Sequence, residues 1–371
     1  MNIIQVSAHY PPNFGGLQNV AKEISERLSK KGHQVKVFTS DIGCPKEKQL
    51  KSTKNLKINY LPSWEFAHTP IIPSLFSRLM KIPKDSIIHI HVAQALTPEI
   101  VWLISKLRKI PYIAHLHGDV KPSGKMGFLL KPYQKIFFKQ VIKNALKIIV
   151  LTKEYKNFFK ENYNCTQEII VIPNGVKEEF FINKKRNNNK RINLLYVGRL
   201  SPEKNIPNLI EAFSILKNKN LNLNIVGEGE KRQEIENLIK LKKLKNVILH
   251  GRKEGKELIE VYKNSDIFLL ASNSEGLPLV LLEAMASKTP IIASDVRGIH
   301  ELIKGVGILV NPPTTKKFAE AIQKLIDNPR LRKKLAENGS KEVKKYSWDK
   351  IVSQIEQVYK EVLAEHSKTK K

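Results

Sequence analysis

An α/β chain folded as two doubly wound domains that face a cleft, with a last helix returning to the first domain, is the architecture this sequence predicts. Three observations lead to it. Short apolar strands alternate with amphipathic helices along the chain; that rhythm breaks once, at a polar basic segment, and then restarts; and 371 residues with 41% hydrophobic content can fill more than one core. Alternation of this kind argues for parallel sheets covered by helices on both faces.

Residues 1–8 alternate into an apolar strand, and the loop Pro11-Pro12-Asn13-Phe14-Gly15-Gly16 leads into a helix carrying Val20, Ile24 and Leu28. Lys31-Gly32-His33 stops that helix, and 34–39 forms the next strand. Further strands are predicted at 87–92, 112–117 and 147–152, with a helix at 98–108. The break is Lys184-Lys185-Arg186-Asn187-Asn188-Asn189-Lys190-Arg191, a segment suited to the edge of a linker. Beyond it come strands at 193–198, 221–226, 247–249, 266–271 and 290–294, and a helix at 206–217. After Tyr346-Ser347-Trp348 an amphipathic helix at 351–363 leads to the basic tail at 368–371. The first domain is accordingly 1–175 joined by 347–371, and the second is 176–346. The sequence has no internal repeat of solenoid length.

Composition narrows the function. No run approaches eighteen apolar residues, and the first residues lack the basic flank and cleavage site of a secretory signal, so a cytoplasmic protein is expected. Cys44 and Cys165 are far apart and have no ligand pattern around them, which leaves almost no support for a disulfide framework or a metal site. The 64 Lys and Arg against 35 Asp and Glu give a net charge of +29, an excess that suits an anionic partner. Nucleic acid, acidic lipid headgroups and phosphorylated small molecules all qualify, as does a lysine-rich solvated surface. No nucleic-acid recognition motif is present.

Open parallel sheets place ligands beyond the carboxyl ends of their strands, so residues just past predicted strands carry most weight. Arg199 follows the strand Leu194-Leu195-Tyr196-Val197-Gly198, and Lys204 stands at the lip of the next helix. Two cations beside a helix N-terminus suit a diphosphate. Gly227-Glu228-Gly229 leaves another strand, where glycine serves either close approach of a ligand or a tight turn. The G-x-G-x-x-G pattern of nicotinamide and flavin sites is absent. Two carboxylates bracket Ser274-Glu275-Gly276-Leu277-Pro278-Leu279-Val280-Leu281-Leu282-Glu283. Glu275 lies in the loop. With a helix starting near Pro278, Leu279, Leu282 and Met285 face the core and Glu283 sits beside them, about a turn and a half in. Burying that carboxylate without a donor costs at least ~2 to 7 kcal/mol. Its donor is either a backbone or lysine group of the protein or the hydroxyls of a ligand.

Together these pieces resemble family 4 of the retaining glycosyltransferases. Val197-Gly198-Arg199-Leu200 with Lys204, Gly227-Glu228-Gly229 and the Glu275/Glu283 pair carry the resemblance, joined in the family's order by Gly15-Gly16, His115-Leu116-His117-Gly118, Ile172-Pro173-Asn174-Gly175-Val176 and Ser265-Asp266. The resemblance implies a GT-B fold of two Rossmann-like domains and transfer of a hexose from a nucleotide sugar, UDP- or GDP-linked, with retention of configuration and with neither a metal nor another cofactor. It further implies that Arg199 and Lys204 hold the donor diphosphate and that Glu283 binds the ribose hydroxyls. Glu275 and His117 then attend the transferred sugar, the amides of Gly15 and Gly16 approach the phosphate, and Arg252 lies near the base. Asn174 and Gly227 complete the donor set. Two positions depart from the family pattern: Gly276-Leu277-Pro278 replaces Gly-Phe-Gly, and Lys177 replaces an aspartate after Asn-Gly-Val.

The acceptor side is less marked. Residues 128–163 form a predicted helical stretch with lysines at 131, 135, 139, 143 and 147 among Leu130, Phe137, Phe138, Val141 and Leu146. Four-residue spacing gathers the lysines on one face, which suits an anionic bilayer, with the apolar residues packed on the sheet. Ile71-Ile72-Pro73-Ser74-Leu75-Phe76 is either an apolar loop for a lipid tail or part of the core. The expected protein is thus a cytoplasmic transferase, peripheral on the inner face of the cell membrane, that extends a lipid-linked or cell-surface glycan. A soluble transferase acting on a small sugar or sugar phosphate is the alternative. A nucleotide-sugar epimerase and a basic nucleic-acid-binding protein on the same scaffold fit the residues less well, and no nucleic acid is expected as a partner.

Overall fold

The structure, a computed structural model, describes residues 1–13, 15–66, 69–118, 130–182, 191–218 and 220–369. The chain divides into two compact units, Met1–Asn174 with Trp348–Lys371, and Gly175–Ser347. Most of the polar segment at 184–191 lies outside the described residues.

The first unit runs β1 (Asn2–Ser7), α1 (Gly16–Lys30), β2 (Gln34–Ser40), β3 (Leu56–Leu61), β4 (Trp64–Phe66), β5 (Thr69–Ile71), α2 (Leu75–Leu79), β6 (Ser86–Val92), α3 (Thr97–Arg108) and β7 (Tyr112–Leu116). It continues with α4 (Leu130–Tyr133), a π-helical turn (Gln134–Phe138), α5 (Lys139–Asn144), β8 (Lys147–Val150), α6 (Lys153–Tyr163) and β9 (Glu168–Val171). Seven of these strands form one sheet in the order β3-β2-β1-β6-β7-β8-β9, parallel throughout. β4 and β5 pair separately as an antiparallel hairpin. Every residue of β6 is buried, as a central parallel strand covered on both faces requires. Val20, Ile24 and Leu28 of α1 face the core as expected.

The second unit contains β10 (Ile192–Val197), α7 (Ile206–Ser214), β11 (Leu221–Val226), α8 (Arg232–Leu241), β12 (Val247–Leu249), α9 (Gly255–Lys263), β13 (Ile267–Leu270) and α10 (Leu279–Ala286). β14 (Ile291–Ser294), α11 (His300–Ile303), β15 (Gly307–Val310), α12 (Thr315–Asp327) and α13 (Pro329–Glu342) complete it. Its sheet has the order β12-β11-β10-β13-β14-β15, again all parallel.

The last helix, α14 (Trp348–Thr369), returns to the first unit. Ile355, Tyr359 and Val362 are fully buried. At its margin Lys31 Nζ meets Glu356 Oε2 at 2.7 Å.

One expectation needs correction, and a second is decided between its alternatives. The lysines from 131 to 147 do not share one helix face: α5 ends at Asn144, Ala145 is extended, and the amide of Leu146 donates to the Tyr112 carbonyl at 3.0 Å, drawing the chain into the sheet. Lys147 therefore opens β8, where its buried ammonium reaches Glu361 at 2.6 Å and Glu168 at 2.9 Å. Phe138 and Val141 are core, whereas Phe137 and Leu146 are exposed. Residues 128–129 and the side chains of Leu130, Lys131 and Lys135 lie outside the described residues. Of the two readings of 71–76, the core one holds: the segment is the end of β5 and the start of α2. Ile72 and Leu75 belong to the core and Phe76 is exposed. No described helix is long and apolar enough to cross a membrane.

If α14 belongs to the first unit's core, Ile355→Ala should destabilise it by about 2–5 kcal/mol, the usual cost of an unfilled cavity. Denaturant unfolding measures this, and a midpoint unchanged from wild type would show that α14 is not part of that core.

Candidate nucleotide-sugar site

In a doubly wound sheet the ligand crevice opens where strand order reverses. In the second unit the reversal falls between β10 and β13, and the residues past these two strands converge. Lys204 closes a short 3₁₀ turn, Pro202–Lys204. The amide of Asn273, beyond β13, donates to the Glu203 carbonyl at 2.8 Å and ties that turn to the neighbouring loop. Lys204 Nζ then reaches Glu275 Oε1 at 2.5 Å, and Ser272 Oγ donates to the same oxygen at 2.6 Å. Both charged side chains are mostly covered, with 20% and 9% of their surface exposed. The sequence grouped Lys204 with Arg199 and Glu275 with Glu283; the fold joins Lys204 to Glu275. Arg199 is exposed, and the Tyr196 hydroxyl donates to its backbone carbonyl at 2.9 Å.

The glycines of Gly227-Glu228-Gly229 have a packing reason. A Cβ on Gly227, whose φ is +145°, would lie 1.8 Å from the Gly198 carbonyl oxygen, and one on Gly229 would lie 2.3 Å from that of Leu200. The exits of β10 and β11 can approach each other only without side chains there. Arg252, past β12, is exposed and pairs with Glu254 through Nε at 3.0 Å.

Glu283 is the fifth residue of α10. Leu281, Leu282, Ala284 and Met285 are buried around it, whereas Leu279, expected in the core, keeps partial exposure. The protein supplies a donor to the carboxylate: the Tyr262 hydroxyl of α9 lies 2.8 Å from Glu283 Oε2. Burial pushes the Glu283 carboxyl up to about 7, against opposing pulls from the Tyr262 hydrogen bond and the charge of Lys177. The lysine that departs from the family pattern thus acts electrostatically on this carboxylate. Neither Tyr262 nor Ser272 was singled out from sequence. Each is joined to its glutamate by tertiary packing, and a tyrosine or serine in a helix or loop carries no local mark of such a partner.

In the first unit the reversal falls between β1 and β6. Gly15 and Gly16 follow β1 and begin α1. A Cβ at Gly16 would meet nothing within 4 Å, and one at Gly15 would meet first the Gln18 side chain. Asn174 is buried and ends the first unit's long segment. His117 follows β7 directly and joins an array that the sequence reading did not anticipate. Alternate residues of a strand share a face, so His89 and His91 of β6 lie beside His115 and His117. His91 Nδ1 is 2.9 Å from His117 Nε2, His89 Nε2 is 3.1 Å from His115 Nδ1, and His91 Nε2 is 3.2 Å from Gln5 Oε1. Burial pushes His89 and His117 down to about 3 and the other two well below the ordinary value. Among the described residues, His89, His91 and His115 form a group close enough to hold a metal ion, with ligand atoms within 4.8 Å of one another. Here their facing nitrogens are engaged in the hydrogen bonds just described.

Two Rossmann-like units in one chain, each with charged or polar side chains gathered past its central strands, are the parts of a GT-B fold. Comparison with known proteins identifies the family. Residues 177–342 match the glycosyl transferases group 1, and residues 14–180 match glycosyltransferase family 4. An uncharacterized glycosyltransferase of Methanocaldococcus jannaschii is 35% identical over 264 residues, which cover 70% of this chain and 71% of that protein. The chain belongs to this glycosyltransferase family. Among solved structures, a sucrose-phosphate synthase from Thermosynechococcus elongatus matches with a TM-score of 0.77 at 22% identity over 98% of this chain and 99% of its own. The Anabaena protein HepE in complex with UDP-glucose matches with a TM-score of 0.77 at 16% identity, over 97% and 100%. At such identities these two likenesses establish the fold.

The Glu283 carboxyl makes stability depend on pH. Its folded value near 7 exceeds the ordinary 4.5, so the folded state holds the proton more tightly. The resulting stability is complete below about pH 4.5 and is lost as pH rises through about 7, the loss reaching the order of 3 kcal/mol. Glu283→Gln removes the titrating group and should flatten this decline between pH 5 and pH 8 in denaturant melts. Identical pH slopes in the two proteins would place the carboxyl at its ordinary value.

Proposed function

We propose that this glycosyltransferase moves a hexose from a UDP- or GDP-linked donor, with retention of anomeric configuration, to a lipid-linked or cell-surface glycan at the cytoplasmic face of the cell membrane. The observation that carries the reading is the Lys204–Glu275 contact at the point where strand order reverses in the second unit. A lysine held there by a carboxylate is oriented before any donor arrives. In this reading Lys204 and Arg199 bind the diphosphate and offset charge as the nucleotide leaves, which is electrostatic stabilisation aimed where charge develops. Side-chain cations supply that charge, so the proposal needs no metal and no cofactor besides the nucleotide sugar.

Glu283 accepts the ribose hydroxyls, with Tyr262 fixing one carboxylate oxygen, and Gly227 and Arg252 serve the rest of the nucleotide. Glu275 orients a hydroxyl of the transferred sugar. Gly15, Gly16, Asn174 and His117 act on the same donor from the other part of the sequence. The bound UDP-glucose of the HepE structure supports a uridine donor. The net charge of +29 and the exposed Trp64, Phe66, Ile136 and Phe137 of the first unit support an acceptor held at an anionic membrane, where basic and aromatic side chains anchor proteins. A soluble transferase acting on a small sugar or sugar phosphate is the second reading, favoured by the likeness to sucrose-phosphate synthase.

Thermal shift of the full chain against UDP, GDP, ADP and their sugar conjugates tests the donor, since a ligand of the folded state raises the melting temperature. One nucleotide should stabilise the protein selectively, and Glu283→Ala should weaken its binding about 10- to 100-fold, the worth of charge-assisted hydrogen bonds. Lys204→Ala should lower kcat about 100- to 1000-fold. No shift with any nucleotide in a folded protein would overturn the donor assignment, and an inverted anomeric proton in the product's NMR spectrum would overturn retention.

A further inference from the structure

The histidine array has a direction. Gln5 of β1 is fully buried and His91 of β6 nearly so, and Gln5 Oε1 faces His91 Nε2 at 3.2 Å. A carbonyl oxygen only accepts, so the hydrogen lies on His91 Nε2. Burial keeps these imidazoles neutral, and a neutral ring carries one N–H. His91 Nδ1 is then a bare acceptor, and the nitrogen 2.9 Å away, His117 Nε2, must be its donor. That leaves His117 Nδ1 with a free lone pair.

The remaining two histidines hold these rings in place. His89 stacks on His91 with centroids 4.4 Å apart, and His115 packs on His117 at 4.1 Å. His89 is itself anchored by the Tyr359 hydroxyl of α14 at 2.5 Å. Rotation of His91 or His117 would break both a hydrogen bond and a ring contact.

We propose that Gln5 and His91 are positioning residues that lock His117 as its Nε2–H tautomer, so that Nδ1 is presented as a hydrogen-bond acceptor for a hydroxyl of the donor sugar. The part concerning the sugar rests on the proposed function; the tautomer does not. Turning the Gln5 amide over reverses every proton in the relay. As placed, Gln5 Nε2 has no partner, and the two polarities make opposite predictions at His117.

The test is a two-bond proton–nitrogen correlation spectrum of the full chain labelled with ¹⁵N in its histidine rings, with His117→Gln used to assign the signal. The relay requires His117 to show a protonated Nε2 and an unprotonated Nδ1. A protonated Nδ1, a charged ring or a rapid average of tautomers in the wild type would overturn it. Gln5→Met, close to isosteric, should convert His117 to an average of both tautomers, and His91→Phe, which keeps a ring in the stack, should do the same. An unchanged His117 spectrum in the folded variants would show that neither residue sets the tautomer. UDP and UDP-glucose then separate the two claims. Gln5→Met should weaken UDP-glucose about 5- to 10-fold, one hydrogen bond's worth, and leave UDP unaffected. Equal effects on both ligands would overturn the sugar contact. If neither ligand binds the wild type while the tautomer is found as stated, the donor assignment fails and the relay stands.

Discussion

A parallel sheet covered on both faces has no place for a ligand except beyond its strand ends, and the rest of this structure follows from that constraint. All four residues of β13 are buried, as are the last four of β10, so the strands themselves offer only apolar packing. Chemistry is confined to the loops that leave them. Those loops must also come close together, which is why Gly227 and Gly229 lie where a side chain would strike a neighbouring backbone and Gly198 lies where one would strike the Tyr196 hydroxyl. The glycines thus shape the exits into one surface, and Lys204 and Glu275 meet on it.

The two glutamates of the second unit illustrate how a protein keeps a carboxylate away from water. Glu275 is held by a cation and a hydroxyl, Lys204 and Ser272. Glu283 is held by a neutral phenol, Tyr262, and its remaining acceptor capacity is what a hydroxyl-bearing ligand could use. Isolated charges are costly to bury and are tolerated when paired or hydrogen-bonded. The same rule is met in two ways eight residues apart, and this is why two carboxylates in one motif differ in chemical character.

The first unit contains the exception to apolar strands. Gln5, His89, His91 and His115 lie within the sheet and are buried, where polar groups survive only by bonding one another. Stacking four imidazoles on adjacent strands meets most of that need, with Gln5 Nε2 and His115 Nε2 left over, and ties the interior to His117 at the strand exit. Tyr359 extends the network to α14, so the last helix of the chain supports a group attached to the first sheet.

Alternation of strands and helices, the restart of that rhythm, the final helix and the motif order from Gly15 to Glu283 were all legible along the chain. Each of these is written locally, in hydrophobic period, turn residues and short spacings. Sequence reading failed where partners are remote. It read 147–152 as a strand yet counted Lys147 with the lysines of the helical stretch 128–163, because spacing alone could not show Tyr112 drawing the chain into the sheet or Glu361 waiting for Lys147 from 214 residues away. It gave no sign that the reversal of strand order sets Lys204 beside Glu275, 71 residues away. The donor to Glu283 and the partners of His117 were likewise decided by the tertiary structure alone, because hydrogen bonds depend on distance in space and the sequence records only distance along the chain.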